Sequence, residues 1–252
     1  MSTNVLAEAA RLYLKEARRL SYDDVRASQH PPYASLTFGA AGIAYVNWRA
    51  AQGAPSPAAH LTEARRWLDA VARAGLTADG YVTPHYASTL AMRERSLATG
   101  PDGLRLVRAL VAFDLAEPRA FTRELETFER CASARADRPA EFLLGTAGYF
   151  HAARSLAKHT GSPRAQTLAR TLGRRLLAPP RPGQSHWTRL RNLGFARGQA
   201  GVFHALLEFS RDTGAALPAW ISAALDRLAR RLTRPMAGAS SWLRRSFCNG
   251  AS

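Results

Sequence analysis

Apolar side chains follow two rhythms along this chain. Four segments are apolar over most of their length: Ile43 to Ala51, Leu104 to Ala116, Tyr149 to His159 and Val202 to Arg211. Between them run segments whose apolar residues keep helical spacing and whose other positions are charged. These are Asn4 to Leu20, Ala58 to Ala74, the stretches opened by Pro118 and Pro163, and Leu217 to Leu232. The last is the clearest, with Leu217, Trp220, Ile221, Ala224, Leu225, Leu228 and Leu232 on one stripe. A helix apolar over most of its circumference is buried on several sides, whereas an amphipathic one keeps a solvent face. The alternation predicts two helical layers with the apolar helices inside. Tyr22 to Pro32 reads as a polar connector, and Thr77 to Thr99 as the least regular stretch. The latter holds an Asp79-Gly80 turn and a short extended piece at Tyr81-Val82-Thr83.

Each apolar segment is preceded by two glycines three residues apart: Gly39 and Gly42, Gly100 and Gly103, Gly145 and Gly148, Gly198 and Gly201. Gly250 opens a fifth copy two residues before Ser252. First glycines are separated by 61, 45, 53 and 52 residues. A recurring unit of roughly fifty residues indicates a helical repeat, because one helix pair cannot bury its own apolar face. Closing the layers into a ring would set all the glycine turns at one end of the inner layer. Glycine there permits positive φ and close backbone approach. Helix N-termini at that end offer unpaired N–H groups and partial positive charge, so it is the expected place for a site.

Composition narrows the field. Of 252 residues, 46% are hydrophobic and 21% charged, as in a soluble globular protein. No apolar run is long enough to span a membrane, and Met1-Ser2-Thr3-Asn4 does not open a secretory signal, so a cytoplasmic location is expected. The formal charge is +16, carried almost wholly by arginine, since Lys15 and Lys158 are the only lysines. That excess invites a polyanionic partner such as an acidic peptide. The arginines are spread over nearly every helix, no basic run is interleaved with aromatics, and no nucleic-acid partner is expected. The two cysteines, Cys131 and Cys248, do not make a disulfide framework.

Gly194-x-Ala196-Arg197-Gly198-x-x-Gly201, followed by Ser246-Phe247-Cys248-Asn249-Gly250, resembles the lanthionine synthetase C-like (lanthipeptide cyclase) family. The resemblance implies an all-α, double-layer α/α toroid with glycine-rich turns heading the inner helices. It also implies that residues 1–252 are a single toroid domain lacking its C-terminal part, an incomplete ring that stops before the family's Cys-His-Gly motif. The implied activity is zinc-assisted addition of peptide cysteine thiols to dehydroalanine or dehydrobutyrine, forming thioether rings in a ribosomal precursor peptide. The implied partners are that peptide, with an acidic leader, and the dehydratase that prepares it.

Cys248 matches a family zinc ligand, and zinc lowers the pKa of a bound thiol. The family's proton-transferring histidine is replaced here by Arg197, and the tryptophan before the zinc cysteine by Phe247. Arg244 matches an arginine four residues before that cysteine, and Glu141 an acid four residues before Gly145. Arginine can hold an enolate by charge but is a poor proton donor. The residues leave other readings open. Cys131, on an amphipathic helix, reads as packing. His151 and His204 share the third position after the second glycine, where Tyr45 and Leu106 stand in other copies, and read as packed or lumen-lining histidines. His30, His60, His85, His159 and His186 fit no spacing. A non-catalytic toroid binding acidic peptides or protein partners is the alternative function. A carbohydrate-active toroid would need paired carboxylates, for which Asp102 and Glu141 are the main candidates.

Overall fold

The computed structural model describes residues 3–28, 33–37, 39–74, 81, 96–134, 139–178 and 193–233. Ten helices order these residues: α1 (Thr3–Arg19), α2 (Tyr22–Ser28), α3 (Ala40–Ala51), α4 (Ala58–Ala74), α5 (Pro101–Asp114), α6 (Pro118–Ser133), α7 (Thr146–Thr160), α8 (Pro163–Leu177), α9 (Gln199–Thr213) and α10 (Ala219–Thr233). No strand occurs among the described residues. No described helix is long and apolar enough to cross a membrane.

The architecture is the expected double-layer α/α toroid. Helices α3, α5, α7 and α9 form the inner layer, each packed against the next, and α4, α6 and α8 each pair with the inner helix before them. The inner helices bury residues on nearly every side: along α5, Leu104, Leu106, Val107, Leu110 and Val111 are all buried. The outer helices bury one stripe, such as Leu61, Ala64, Leu68 and Val71 of α4. Trp67, Phe128, Tyr149 and Phe150 fill the space between layers, each burial contributing about 1.5–3 kcal/mol of side-chain transfer. Outer helices α6 and α8 open on Pro118 and Pro163, whose missing N–H lies where none is needed.

Three expectations need correction. The stretch after Tyr22 is not all connector: α2 forms because Ser21 and Asp24 cap each other. The Ser21 backbone N–H and hydroxyl both donate to the Asp24 carboxylate at 2.7 Å, and the Asp24 N–H donates to the Ser21 hydroxyl at 3.1 Å. The inner helices begin earlier than their apolar runs. Gly39, Gly100, Gly145 and Gly198 are the N-cap residues, and the second glycine of each pair lies within the first helical turn. Nor do these glycines use positive φ. The four caps are extended, with φ of −137°, −106°, −112° and −136°.

Space is what requires glycine. A Cβ on Gly42, Gly103, Gly148 or Gly201 would collide with the carbonyl oxygen of Leu36, Leu97, Phe142 or Phe195, six residues earlier in each case. The chain therefore folds back onto its own helix start, and only a residue without a side chain fits there. The turns also interlock. Leu36 covers Gly103, Leu97 covers Gly148 and Phe142 covers Gly201. The expected fifth turn at Gly250 and the extended piece after Tyr81 lie outside the described residues.

Candidate functional site at the inner-helix mouth

The glycine turns place the N-termini of α3, α5, α7 and α9 at one end of the inner layer. Neighbouring turns are bonded to each other through backbone. The Thr37 N–H and hydroxyl both donate to the Ala98 carbonyl at 3.0 Å. The Leu143 N–H donates to the Ala196 carbonyl at 2.7 Å. Register across the turns puts Glu141, Ser35 and Ser96 at one equivalent position, and Arg197, Thr99 and Leu144 at another.

The Leu143–Ala196 bond draws two of the predicted site residues together. Glu141 is buried, and burial raises its carboxyl pKa. The nearby Arg197 charge and a hydrogen bond with the Leu144 backbone oppose that rise. Arg197 itself is exposed. A buried acid thus sits beside an exposed guanidinium, both at the positive end of inner helices. Arg244 and Cys248 lie outside the described residues. Cys131 is half-buried on outer helix α6, in line with a packing role.

Asp102 is not available as the second carboxylate of a pair. It is fully buried in the first turn of α5. The Tyr149 hydroxyl donates to its Oδ2 at 2.6 Å, and the Arg105 Nε lies 3.7 Å from Oδ1. Its role is to bond α5 to α7, and the carbohydrate-active reading loses its acid.

A cavity of about 950 Å³ runs along the inner faces of α3, α5 and α7. Tyr45, Leu106, Leu110, Phe142, His151 and Ser155 are among the side chains that wall it. Tyr13 and Glu16 of helix α1 and the following Leu20 border it, and Arg66 of α4 holds them there, its Nη2 donating to the Leu20 carbonyl at 2.9 Å. Volume and apolar walls suit a peptide segment or other organic ligand. Among the described lining residues none is arginine or lysine, and Glu16 is the only acid. Among the described residues, then, the positive charge of the chain does not line this cavity.

His151 and His204, equivalent by repeat position, come together across α7 and α9 with ring centroids 6.0 Å apart. Phe142 lies 5.4 Å from His151 and 6.4 Å from His204, and Phe195 lies 5.4 Å from His204. His151 lines the cavity, as the sequence reading allowed. Its Nδ1 is buried with no hydrogen-bond partner among the described residues.

Among the described residues no three of the His, Cys, Asp and Glu side chains converge as a metal site requires. The one zinc ligand expected, Cys248, is outside that set. The opposite end of the inner layer holds a cluster that sequence spacing did not reveal. Asp114, at the end of α5, accepts from Trp48 Nε1 and Gln52 Nε2 at 2.7 Å each, and pairs with His159 Nε2 at 2.7 Å.

Residues 15–227 match a family model described as lanthionine synthetase C-like protein. No curated protein matches the sequence.

Proposed function

The chain belongs to the lanthionine synthetase C-like family, and from that premise we propose that it closes thioether rings in a ribosomal peptide by adding cysteine thiols to dehydroalanine or dehydrobutyrine. The observation that carries this reading is the 2.7 Å bond from the Leu143 N–H to the Ala196 carbonyl, which joins the turns bearing Glu141 and Arg197 at the end of the inner layer where a cavity of about 950 Å³ lies.

The addition builds negative charge on the carbonyl oxygen of the dehydro residue as sulfur bonds to its β-carbon. A preorganised cation at a helix N-terminus stabilises such an enolate. Arg197 supplies that cation, with the carboxyl of Glu141 near its charge on the neighbouring turn. Arg244 is the second cation that this reading assigns to the mouth. Arginine stays protonated at neutral pH and returns no proton to the α-carbon. Cys248 is the residue of this chain that would hold zinc in this reading, and the metal would lower the pKa of a bound peptide thiol. The dehydrated residues must come from a separate reaction that removes water from serine or threonine, hence a dehydratase partner. An acidic leader would meet the exposed arginines of the outer layer rather than the cavity, whose wall is apolar.

The test is ring formation on a dehydrated peptide containing cysteine, followed by thiol alkylation and mass spectrometry. Arg197→Ala should lower the rate about 10²-fold, the usual loss when one donor to a developing oxyanion is removed, with peptide binding retained. Peptide binding without turnover in the natural protein would replace this reading with the non-catalytic binding toroid.

A further inference from the structure

The residue at the family's proton-transferring position is arginine, yet thioether formation needs a proton moved from sulfur to carbon. An ionisable imidazole lies one helical turn below the mouth. His151 is on α7, three residues after Gly148, and His204 is on α9, three residues after Gly201. Adjacent inner helices in the same register therefore present two imidazoles 6.0 Å apart. Phe142, immediately after Glu141, packs against both rings, and Phe195, two residues before Arg197, packs against His204. The aromatic pair Phe142–Phe195, 4.6 Å between centroids, thus joins the mouth residues to the imidazoles. His151 faces the cavity, and its buried Nδ1 has no partner among the described residues. A histidine kept only for packing would be expected to satisfy that nitrogen.

We propose that His151, backed by His204, is the proton carrier of this site. It accepts the proton of the incoming cysteine thiol and delivers it to the α-carbon of the dehydro residue. The proposal rests on the cyclase reading given above. The step balances within the substrates. The S–H bond breaks and the proton passes to the neutral imidazole. Sulfur bonds to the β-carbon, and the C=C π pair moves onto the α-carbon and its carbonyl. The imidazolium then protonates the α-carbon, leaving a thioether and a neutral imidazole. No oxidant, reductant or second proton source is consumed.

The surroundings favour the neutral resting form that this sequence of events needs. Burial lowers the His151 pKa most, then the positive charges of His204 and Arg154, while Glu208 on α9 opposes them. Glu16 and Tyr13 of α1 share the cavity, and the α5 wall contributes only the apolar Leu106 and Leu110. An imidazole that gives up its proton readily is neutral near pH 7 and, once protonated by a thiol, is a good acid toward an enolate.

The experiment uses the full 252-residue chain. Ring formation on a dehydrated cysteine peptide is measured from pH 5 to 9 for the natural protein, His151→Phe and His151→Asn, with helicity checked by circular dichroism. In parallel, imidazole ¹⁵N signals are followed as an unreactive peptide is added, one with alanine in place of dehydroalanine and its cysteine intact. The expected result is a loss of at least about 10²-fold in both variants at pH 7, with the limb that rises with pH abolished. The His151 signals, and no others outside the His204 pair, should shift on peptide addition. Ring formation within threefold of the natural rate in either folded variant overturns the proposal. So do His151 signals that ignore the peptide, whether or not rings form. If the natural protein forms no rings but the His151 signals do shift, the cyclase reading falls alone and His151 stands as a thiol-peptide contact. Should the phenylalanine variant not fold, the asparagine variant and the natural protein's titration decide.

Discussion

The two ends of the inner layer are held together by different means. At the glycine end, neighbouring turns are joined backbone to backbone, with Thr37 bonded to Ala98 and Leu143 to Ala196, and the buried Asp102–Tyr149 bond adds a side-chain joint between α5 and α7. At the other end the joints are side chains. Asp114 binds Trp48, Gln52 and His159 from both neighbouring inner helices. Buried Arg154 of α7 pairs with Glu208 and Asp212 of α9, and Lys158 adds a second cation 2.9 Å from Asp212. Ionisable side chains consumed in joints cannot meet a ligand. At the glycine end Arg197 is exposed and His151 faces the cavity. The contrast shows how one helical layer can be anchored at one end and remain chemically open at the other.

The contrast can be broken most forcefully at Gly148. An added methyl there meets the Phe142 carbonyl, which is backbone and cannot step aside. Gly148→Ala should lose about 3 kcal/mol, even though alanine is favoured over glycine by about 1 kcal/mol in an unobstructed helix. The unfolding midpoint should fall by roughly 10 °C in a thermal melt. Gly53→Ala, where an added Cβ meets nothing within 4 Å, should stay within about 0.5 kcal/mol. Equal stability of the two variants would remove the close-approach account of the turns.

At the opposite end, Asp114→Ala leaves Trp48 and Gln52 without their acceptor and should cost about 2 kcal/mol, the range for hydrogen bonds to a charged group. Peptide binding at the mouth should be unchanged, as measured by fluorescence anisotropy. A loss of binding equal to that of a mouth variant would mean the ends are not separable.

The smallest effect expected is at Glu141. Its folded-state pKa is raised, chiefly by burial. The protonated acid is thus the better tolerated form, and its contribution to stability is present below the ordinary glutamate range and lost as pH rises through the raised value. Glu141→Gln should melt slightly higher than the natural protein at pH 7, and the gap should close as pH is lowered toward 4. A gap that widens on acidification would mean that Arg197 outweighs burial at this carboxyl.

Much of this arrangement was readable in the chain. The apolar and amphipathic alternation located both layers, and Ala58–Ala74 was bounded to the residue because Pro57 and Gly75 flank it. The inner helices were read three residues late because glycines at N-cap and in the first turn look like a break, and propensity carries no information about a carbonyl folded against them. Helix α2 was hidden by its length of seven residues and by Pro31-Pro32. At the site, Glu141 and Arg197 were singled out by the family resemblance, and the proximity of His151 and His204 follows from a repeat position they share. The burial of Asp102 was not, because its partner Tyr149 is 47 residues away. His159 fitted no spacing for the same reason: its carboxylate is on another helix.

The side chains laid across the glycines of the following turn carry one more consequence. Leu36, Leu97 and Phe142 are interposed between successive inner helices, so their bulk occupies the space between one helix start and the next. The joint between α7 and α9 receives the bulkiest of the three. The same three residues thus both separate the inner helices and wall the cavity. Trading leucine for phenylalanine at Leu36 or Leu97 would narrow the passage for a slimmer peptide and leave the contacts of Phe142 with the imidazoles in place.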